Sequence, residues 1–156
     1  MAELREIDRI LLVAAIELSW RCPPSRTAFS VGALIADADG TVLAEGYSRR
    51  DDPHDHAEEA ALADLGAEAG WRAAPGTTIY SSLEPCSARA SRPRTCTELI
   101  LAAGIGRVVF AWREPAVFVD CEGAELLRAA GVEVVEVPEL AGEVRAVNRH
   151  LLGRER

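Results

Sequence analysis

Residues 77–111, TTIYSSLEPCSARASRPRTCTELILAAGIGRVVFA, hold the alternation that decides the fold. Thr77 to Ser82 are β-branched and aromatic in character and read as a strand. That strand runs into an irregular stretch from Leu83 to Thr95, rich in Pro, Ser and Arg. Thr97 to Ala103 read as a helix that Gly104 stops, and Arg107 to Ala111 as the next strand. Strand, loop, helix and strand at this spacing form a βαβ unit, whose strands pair in parallel.

The alternation continues downstream. Gly123 to Ala130 read as a helix closed by Gly131, Val132 to Val137 as a strand, and Pro138 opens a last helix reaching Leu152. Upstream, Ile7, Ile10, Leu11, Ala14 and Leu18 recur at intervals of three and four, the mark of an amphipathic helix, which Cys22-Pro23-Pro24 ends. Val31 to Ala36 and Thr41 to Tyr47 flank the acidic turn Asp37–Gly40 as a hairpin. Residues 48–55 are polar and loop-like, and a helix starts at His56 with Ala60, Ala61 and Leu65 on one face. The chain is therefore expected to be one α/β domain over 1–156, a three-layer α/β/α sandwich with a mixed sheet of about five strands.

Composition narrows the function classes. The 156 residues carry 25 acidic and 17 basic side chains for a net charge of -8, and every basic residue is arginine. That balance opposes binding to duplex nucleic acid or anionic membranes through a broad basic face. The absence of lysine excludes Schiff-base and P-loop-lysine chemistry. The N-terminus lacks a signal-peptide pattern, and no run reaches the roughly 18 apolar residues of a membrane span, so the expectation is a cytoplasmic protein. Its cysteines, Cys22, Cys86, Cys96 and Cys121, are then expected to be reduced, which favours metal binding or catalysis over disulfides.

The strongest chemical pattern is His56-Ala57-Glu58, followed after a helix and a strand by Pro85-Cys86 and then Cys96 at a helix head. One imidazole and two thiolates suit a tetrahedral Zn2+ with a fourth position open to water, one ion per chain. A carboxylate two residues after the histidine can stay off the metal and shuttle protons, which assigns Glu58 as general acid/base. Cys22 and Cys121 stand outside any paired ligand spacing, and His54 is a rival ligand out of H-x-E register with Glu58. Arg89, Arg92 and Arg94 crowd the same loop and read either as a phosphate grip or as a solvated charged loop. Arg49-Arg50 beside Asp51-Asp52 reads as a surface turn, and Tyr47 and Ser48 as pocket-lining candidates.

H-x-E, then P-C, then Cys at a helix head is the signature of the zinc deaminases, and on it the sequence resembles the cytidine-deaminase superfamily. More narrowly it looks like the deaminase domain of the bifunctional riboflavin-biosynthesis deaminase/reductase. Leu83-Glu-Pro-Cys-Ser87, Arg94-Thr-Cys-Thr97, the nine residues between Cys86 and Cys96, and the closing Val147-Asn-Arg149 carry that likeness. The resemblance implies hydrolytic deamination of an aminopyrimidine ribosyl phosphate with release of ammonia, zinc on His56, Cys86 and Cys96, and backbone near Ala57 and Leu83-Glu84 orienting the base. It also implies a homodimer or larger homo-oligomer, here as a stand-alone deaminase without the reductase domain. Departures include Ala28-Phe29-Ser30 where that family has Asn-Pro, and Arg113-Glu-Pro-Ala-Val-Phe118 where it has Asp-Pro-Asn. Phe29 is more like the aromatic that lies against the pyrimidine in free-nucleoside deaminases, so a cytidine-, deoxycytidylate- or cytosine-type deaminase is the alternative. A non-catalytic zinc-stabilised binding module is the second alternative.

Overall fold

The computed structural model describes residues 3–89, 92–113, 115 and 121–152. Most of the Arg113–Phe118 departure therefore lies outside the described residues. The strands are β1 (Gly32–Ala36), β2 (Val42–Tyr47), β3 (Thr78–Leu83), β4 (Arg107–Trp112) and β5 (Glu133–Glu136). The helices are α1 (Glu6–Ser19), α2 (Ala57–Asp64), α3 (Cys96–Ala102), α4 (Gly123–Ala129), α5 (Ala141–Val147) and α6 (Arg149–Leu152). The strands form one sheet in the order β2-β1-β3-β4-β5, with β1 antiparallel to both neighbours and β3, β4 and β5 parallel. The mixed five-stranded sheet is thus present as the hairpin and the βαβ spacing dictate.

Alternate residues of each strand feed two cores, because successive side chains leave a pleated strand on opposite faces. Ile35, Ile79, Val108, Phe110 and Val134 pack against Leu62, Ile100 and Leu127 of α2, α3 and α4. Leu34, Tyr80, Val109, Ala111 and Val135 pack against Leu11, Leu12, Ala15 and Val144 of α1 and α5. Those two helical layers around the sheet make the three-layer sandwich. Among the described residues no helix is long and apolar enough to cross a membrane.

Two expectations are corrected. The buried face of α1 is Asp8, Leu11, Leu12, Ala15, Ile16, Leu18 and Ser19, while Ile7 and Ile10 are 39% and 59% exposed. Asp8 rotates the helix inward: its carboxylate takes both Nη atoms of Arg107 at 2.8 and 2.7 Å, the Tyr80 hydroxyl at 2.7 Å and the Arg5 amide at 2.7 Å. The C-terminal helix is a 3-10 turn at Pro138–Leu140 followed by α5 and α6, broken at Asn148. The buried Asn148 side chain is engaged with Ser30, its Oδ1 accepting from the Ser30 amide at 2.6 Å and its Nδ2 donating to the Ser30 carbonyl at 3.1 Å.

Candidate active site

β2, β3 and β4 end on the same side of the sheet, and a cavity of about 640 Å3 opens beyond the ends of β2 and β3. Ligands of open α/β sheets sit beyond the carboxyl ends of the strands for this reason, and the volume suits a small organic ligand. Phe29, Val31, Ser48, Arg49, His54, Asp55, His56, Ala57, Glu58, Leu83, Glu84, Cys86 and Arg89 contribute to its wall.

Three donors meet at one place in that wall. His56, just ahead of α2, brings Nδ1 to 3.3 Å from Cys96 Sγ and 3.5 Å from Cys86 Sγ, and all three donor atoms lie within 4.8 Å of one another. Cys86 follows β3 through Glu84-Pro85, and Cys96 opens α3. The ends of the intervening loop are stapled together: Thr97 gives its amide and its hydroxyl to the Cys86 carbonyl at 3.1 and 2.8 Å, and the Cys96 amide points at Cys86 Sγ at 3.2 Å. Thr95 caps α3, accepting from the Glu98 amide at 3.2 Å. Tetrahedral zinc with ordinary Zn–S and Zn–N bonds places a nitrogen and a sulfur ligand about 3.5 Å apart, so this donor set fits the ion in type and spacing.

The electrostatics are those of a crowded, dry cluster. The Cys86 thiol is pulled well below its ordinary value by the hydrogen bond from Cys96, helped by His56 and the Cys96 amide. Cys96 goes the other way, pushed up by the same sharing and by complete burial. Burial alone would lower His56, yet its hydrogen bond to Cys86 and the charge there carry it upward. Glu58, in the first turn of α2 and 3% exposed, is raised by burial and then by the negative charge on Cys86. Its Oε2 accepts from the Ser81 hydroxyl at 2.7 Å.

Residues 5–112 match the model of the cytidine and deoxycytidylate deaminase zinc-binding region. The chain belongs to that family. It is 38% identical over 125 residues to the Schizosaccharomyces pombe diaminohydroxyphosphoribosylamino-pyrimidine deaminase, covering 80% of this chain and 31% of that protein. It spans about a third of the length of the curated relatives it matches. The crystal structure of the Thermotoga maritima deaminase/reductase of that type superimposes with a TM-score of 0.77 at 31% identity, covering 94% of this chain and 40% of the other. A C-terminal deletion mutant of the Aspergillus oryzae Rib2 deaminase gives 0.81 at 26% identity, covering 96% and 93%.

Against this family frame, the residues singled out in the sequence fall into two groups. His56, Ala57, Glu58, Glu84, Cys86, Phe29 and Arg89 all face the cavity, and the fully buried Cys96 joins the donor cluster behind it. Phe29 is braced edge-to-face by Trp112, with ring centroids 5.8 Å apart. Glu84 is buried with Oε2 accepting from the Ala124 amide at 3.0 Å. Tyr47 does not line the cavity; its neighbour Ser48 does. Arg92 does not line it either, being held by Asp55, Asp52 and Glu59 at 3.1, 3.3 and 3.3 Å. Arg94 is exposed over a separate hollow of about 300 Å3 shared with Arg50 and Arg72. His54 faces the cavity but stands outside the donor cluster, as do Cys22 and Cys121, whose thiols donate to the Val31 and Pro85 carbonyls.

One cavity residue is a correction to the surface-turn reading. Arg50 does pair outward with Asp64 at 2.8 Å, but Arg49 turns in, because its backbone sits in the left-handed region at φ 61°. A non-glycine residue there carries strain on the order of 1 kcal/mol or more. Nothing in the run Ser48-Arg49-Arg50-Asp51 distinguishes the inward arginine from the outward one.

Proposed function

We propose that the chain is a hydrolytic deaminase of an aminopyrimidine ribosyl phosphate, of the diaminohydroxyphosphoribosylaminopyrimidine type. The observation that carries this reading is the burial of Glu58 at the wall of the cavity, beside a His56–Cys86–Cys96 cluster with zinc-ligand spacing. Similarity to the riboflavin-type deaminases supports the substrate class.

His56 Nδ1 and the sulfurs of Cys86 and Cys96 would hold the zinc. A bound zinc supplies Lewis-acid chemistry that makes hydroxide available near neutral pH. Glu58 takes the proton released from the attacking water and delivers it to the ring nitrogen next to the amine-bearing carbon. The remaining hydroxyl proton goes by the same carboxylate to the departing amine, so that water and amine become carbonyl and ammonia. Ser81 steadies one carboxylate oxygen while the other is left for this traffic. Phe29, stiffened by Trp112, offers a flat apolar wall to the base, and the Ala57 backbone borders the same space.

A coupled ammonia assay on the zinc-loaded chain tests the reading. Release is expected from the diaminopyrimidinone ribosylamino phosphate and not from cytidine or deoxycytidylate. The reverse result transfers the chain to the cytidine-type alternative, which the Phe29 wall favours. Glu58→Gln is expected to keep zinc while losing about 100- to 10,000-fold in turnover. Zinc-loaded wild type with no activity on any aminopyrimidine or purine would leave only a binding module.

A further inference from the structure

Among the described residues, the charged groups lining the cavity, histidines and Cys86 aside, are Arg49, Asp55, Glu58, Glu84 and Arg89. Asp55 is paired with Arg92 at 3.1 Å, and Arg89 with Glu59 at 3.2 Å. Glu58 accepts from Ser81, and Glu84 accepts from the Ala124 amide with Arg113 at 3.8 Å. Arg49 differs from the others. Among the described residues no carboxylate lies within ion-pair distance of its guanidinium, in a chain with a net charge of -8.

The contacts that Arg49 does make are neutral. Nε and Nη2 donate to the Pro23 carbonyl at 3.0 and 2.7 Å, Nη1 to the Phe29 carbonyl at 3.2 Å, and Nη2 to the Ser30 hydroxyl at 2.9 Å. These acceptors fix the plane of the guanidinium without neutralising it, and Nη1 keeps a second hydrogen beyond its one contact. Partial burial disfavours the charged form and presses its proton affinity down. A charge removed from water without a counter-ion costs stability unless something else uses it. The left-handed backbone of Arg49, anchored by its amide on the Asp55 carbonyl at 2.9 Å, adds a second local cost at the same residue.

We propose that Arg49 is the specificity residue of the cavity, receiving the phosphomonoester of the substrate. Arg89 and Arg92, already matched by Glu59, Asp55 and Asp52, brace the zinc loop. This rests on the deaminase reading above and names the group that distinguishes a nucleotide from a nucleoside in that site. The planar guanidinium, held by carbonyls at its Nε and Nη edges, presents a fixed donor to a phosphate oxygen.

The test compares wild type, Arg49→Gln, Arg49→Lys and Arg89→Gln, each zinc-loaded. Inorganic phosphate is expected to bind wild type and to inhibit it competitively. In Arg49→Gln, phosphate binding and the KM for the phosphorylated substrate should worsen by about 10- to 100-fold, the weight of a charge-assisted hydrogen bond, with the KM for the dephosphorylated nucleoside unmoved. Arg49→Lys should recover part of the loss, and Arg89→Gln should not reproduce the selective change. If Arg49→Gln fails to fold, the Arg49 Nε signal of wild-type protein labelled with 15N-arginine must still move on adding phosphate. An unmoved signal, phosphate binding indifferent to Arg49, or equal KM changes for nucleotide and nucleoside overturns the proposal. Failure of the deaminase reading itself shows differently, as phosphate binding at Arg49 with no ammonia from any aminopyrimidine.

Discussion

The Ser81 hydroxyl lies 2.7 Å from Glu58 Oε2 and 2.7 Å from the Leu83 carbonyl oxygen, fully buried on the strand that leads to Cys86. A hydroxyl has one hydrogen to give, so it is shared between these two acceptors, and the Ser81 oxygen sits between the carboxyl and the end of β3. Ser81→Ala is expected to lower kcat on the order of tenfold with KM and zinc content nearly unchanged, as for other groups that orient a reacting one. Ser82→Ala is the control, since Ser82 Oγ accepts from the Gly32 amide at 3.1 Å on the opposite face of the sheet. Steady-state ammonia kinetics and metal analysis on both variants decide it, and loss of zinc in Ser81→Ala would show a structural part instead.

Close backbone approaches allow two substitutions to separate the halves of the site. A Cβ on Gly46 would lie 2.3 Å from the Ala57 carbonyl oxygen, and one on Gly123 would lie 2.0 Å from the Pro85 carbonyl oxygen. Gly46→Ala pushes on the start of α2, which carries Glu58 and directly follows His56, and should cut turnover and zinc affinity together. Gly123→Ala pushes on the loop carrying Cys86 and should weaken zinc first. Each overpacking is expected to cost about 1–3 kcal/mol of stability, read by urea denaturation beside zinc titration.

The Asp8–Arg107 pair sits far from the chemistry and governs stability. Replacing Asp8 by Ala leaves Arg107, only 4% exposed, without its main counter-ion, at a cost of about 3–5 kcal/mol. Burial of Asp8 works against its ionised form, but Arg107, the Arg5 amide and Tyr80 outweigh it and hold the carboxyl below its ordinary value. A pKa that is lower folded than unfolded gives stability that is complete above the unfolded value near 4 and is lost as pH falls through the folded one. The stability gap between wild type and Asp8→Asn should therefore be constant above about pH 5 and close on further acidification. Chemical denaturation at a series of pH values measures it, and a gap that widens in acid refutes the sign.

Removing zinc should reach the whole fold. A ligand present at about 1,000 times its dissociation constant stabilises by about 4 kcal/mol, which in a domain this size is roughly 10 °C in Tm. Calorimetry before and after chelation should show a drop of that order, reversed by zinc alone. An unchanged Tm would mean that the His56–Cys86–Cys96 cluster holds no ion.

What the sequence makes legible is what acts locally. The β-branched strands, the turn at Asp37–Gly40 and the spacing of His56, Glu58, Cys86 and Cys96 all report on neighbours or on one chemical motif. Three of the misreadings involve partners or backbone states that periodicity does not encode. The inward face of α1 depends on Arg107, 99 residues from Asp8, and the break at Asn148 on Ser30, 118 residues away. The inward turn of Arg49 depends on one left-handed φ angle in an ordinary polar loop. The division of labour among Arg89, Arg92 and Arg94 likewise follows from which acidic side chains of the 52–59 segment reach them in space.

The staple at the base of the zinc loop, where Thr97 and the Cys96 amide grip Cys86, has an engineering consequence. Because the two ligands are clasped to each other directly, the exposed Ala88, which lines the cavity without taking part in that clasp or in the Arg89 and Arg92 bracing, is the place to graft a different substrate preference onto the same centre.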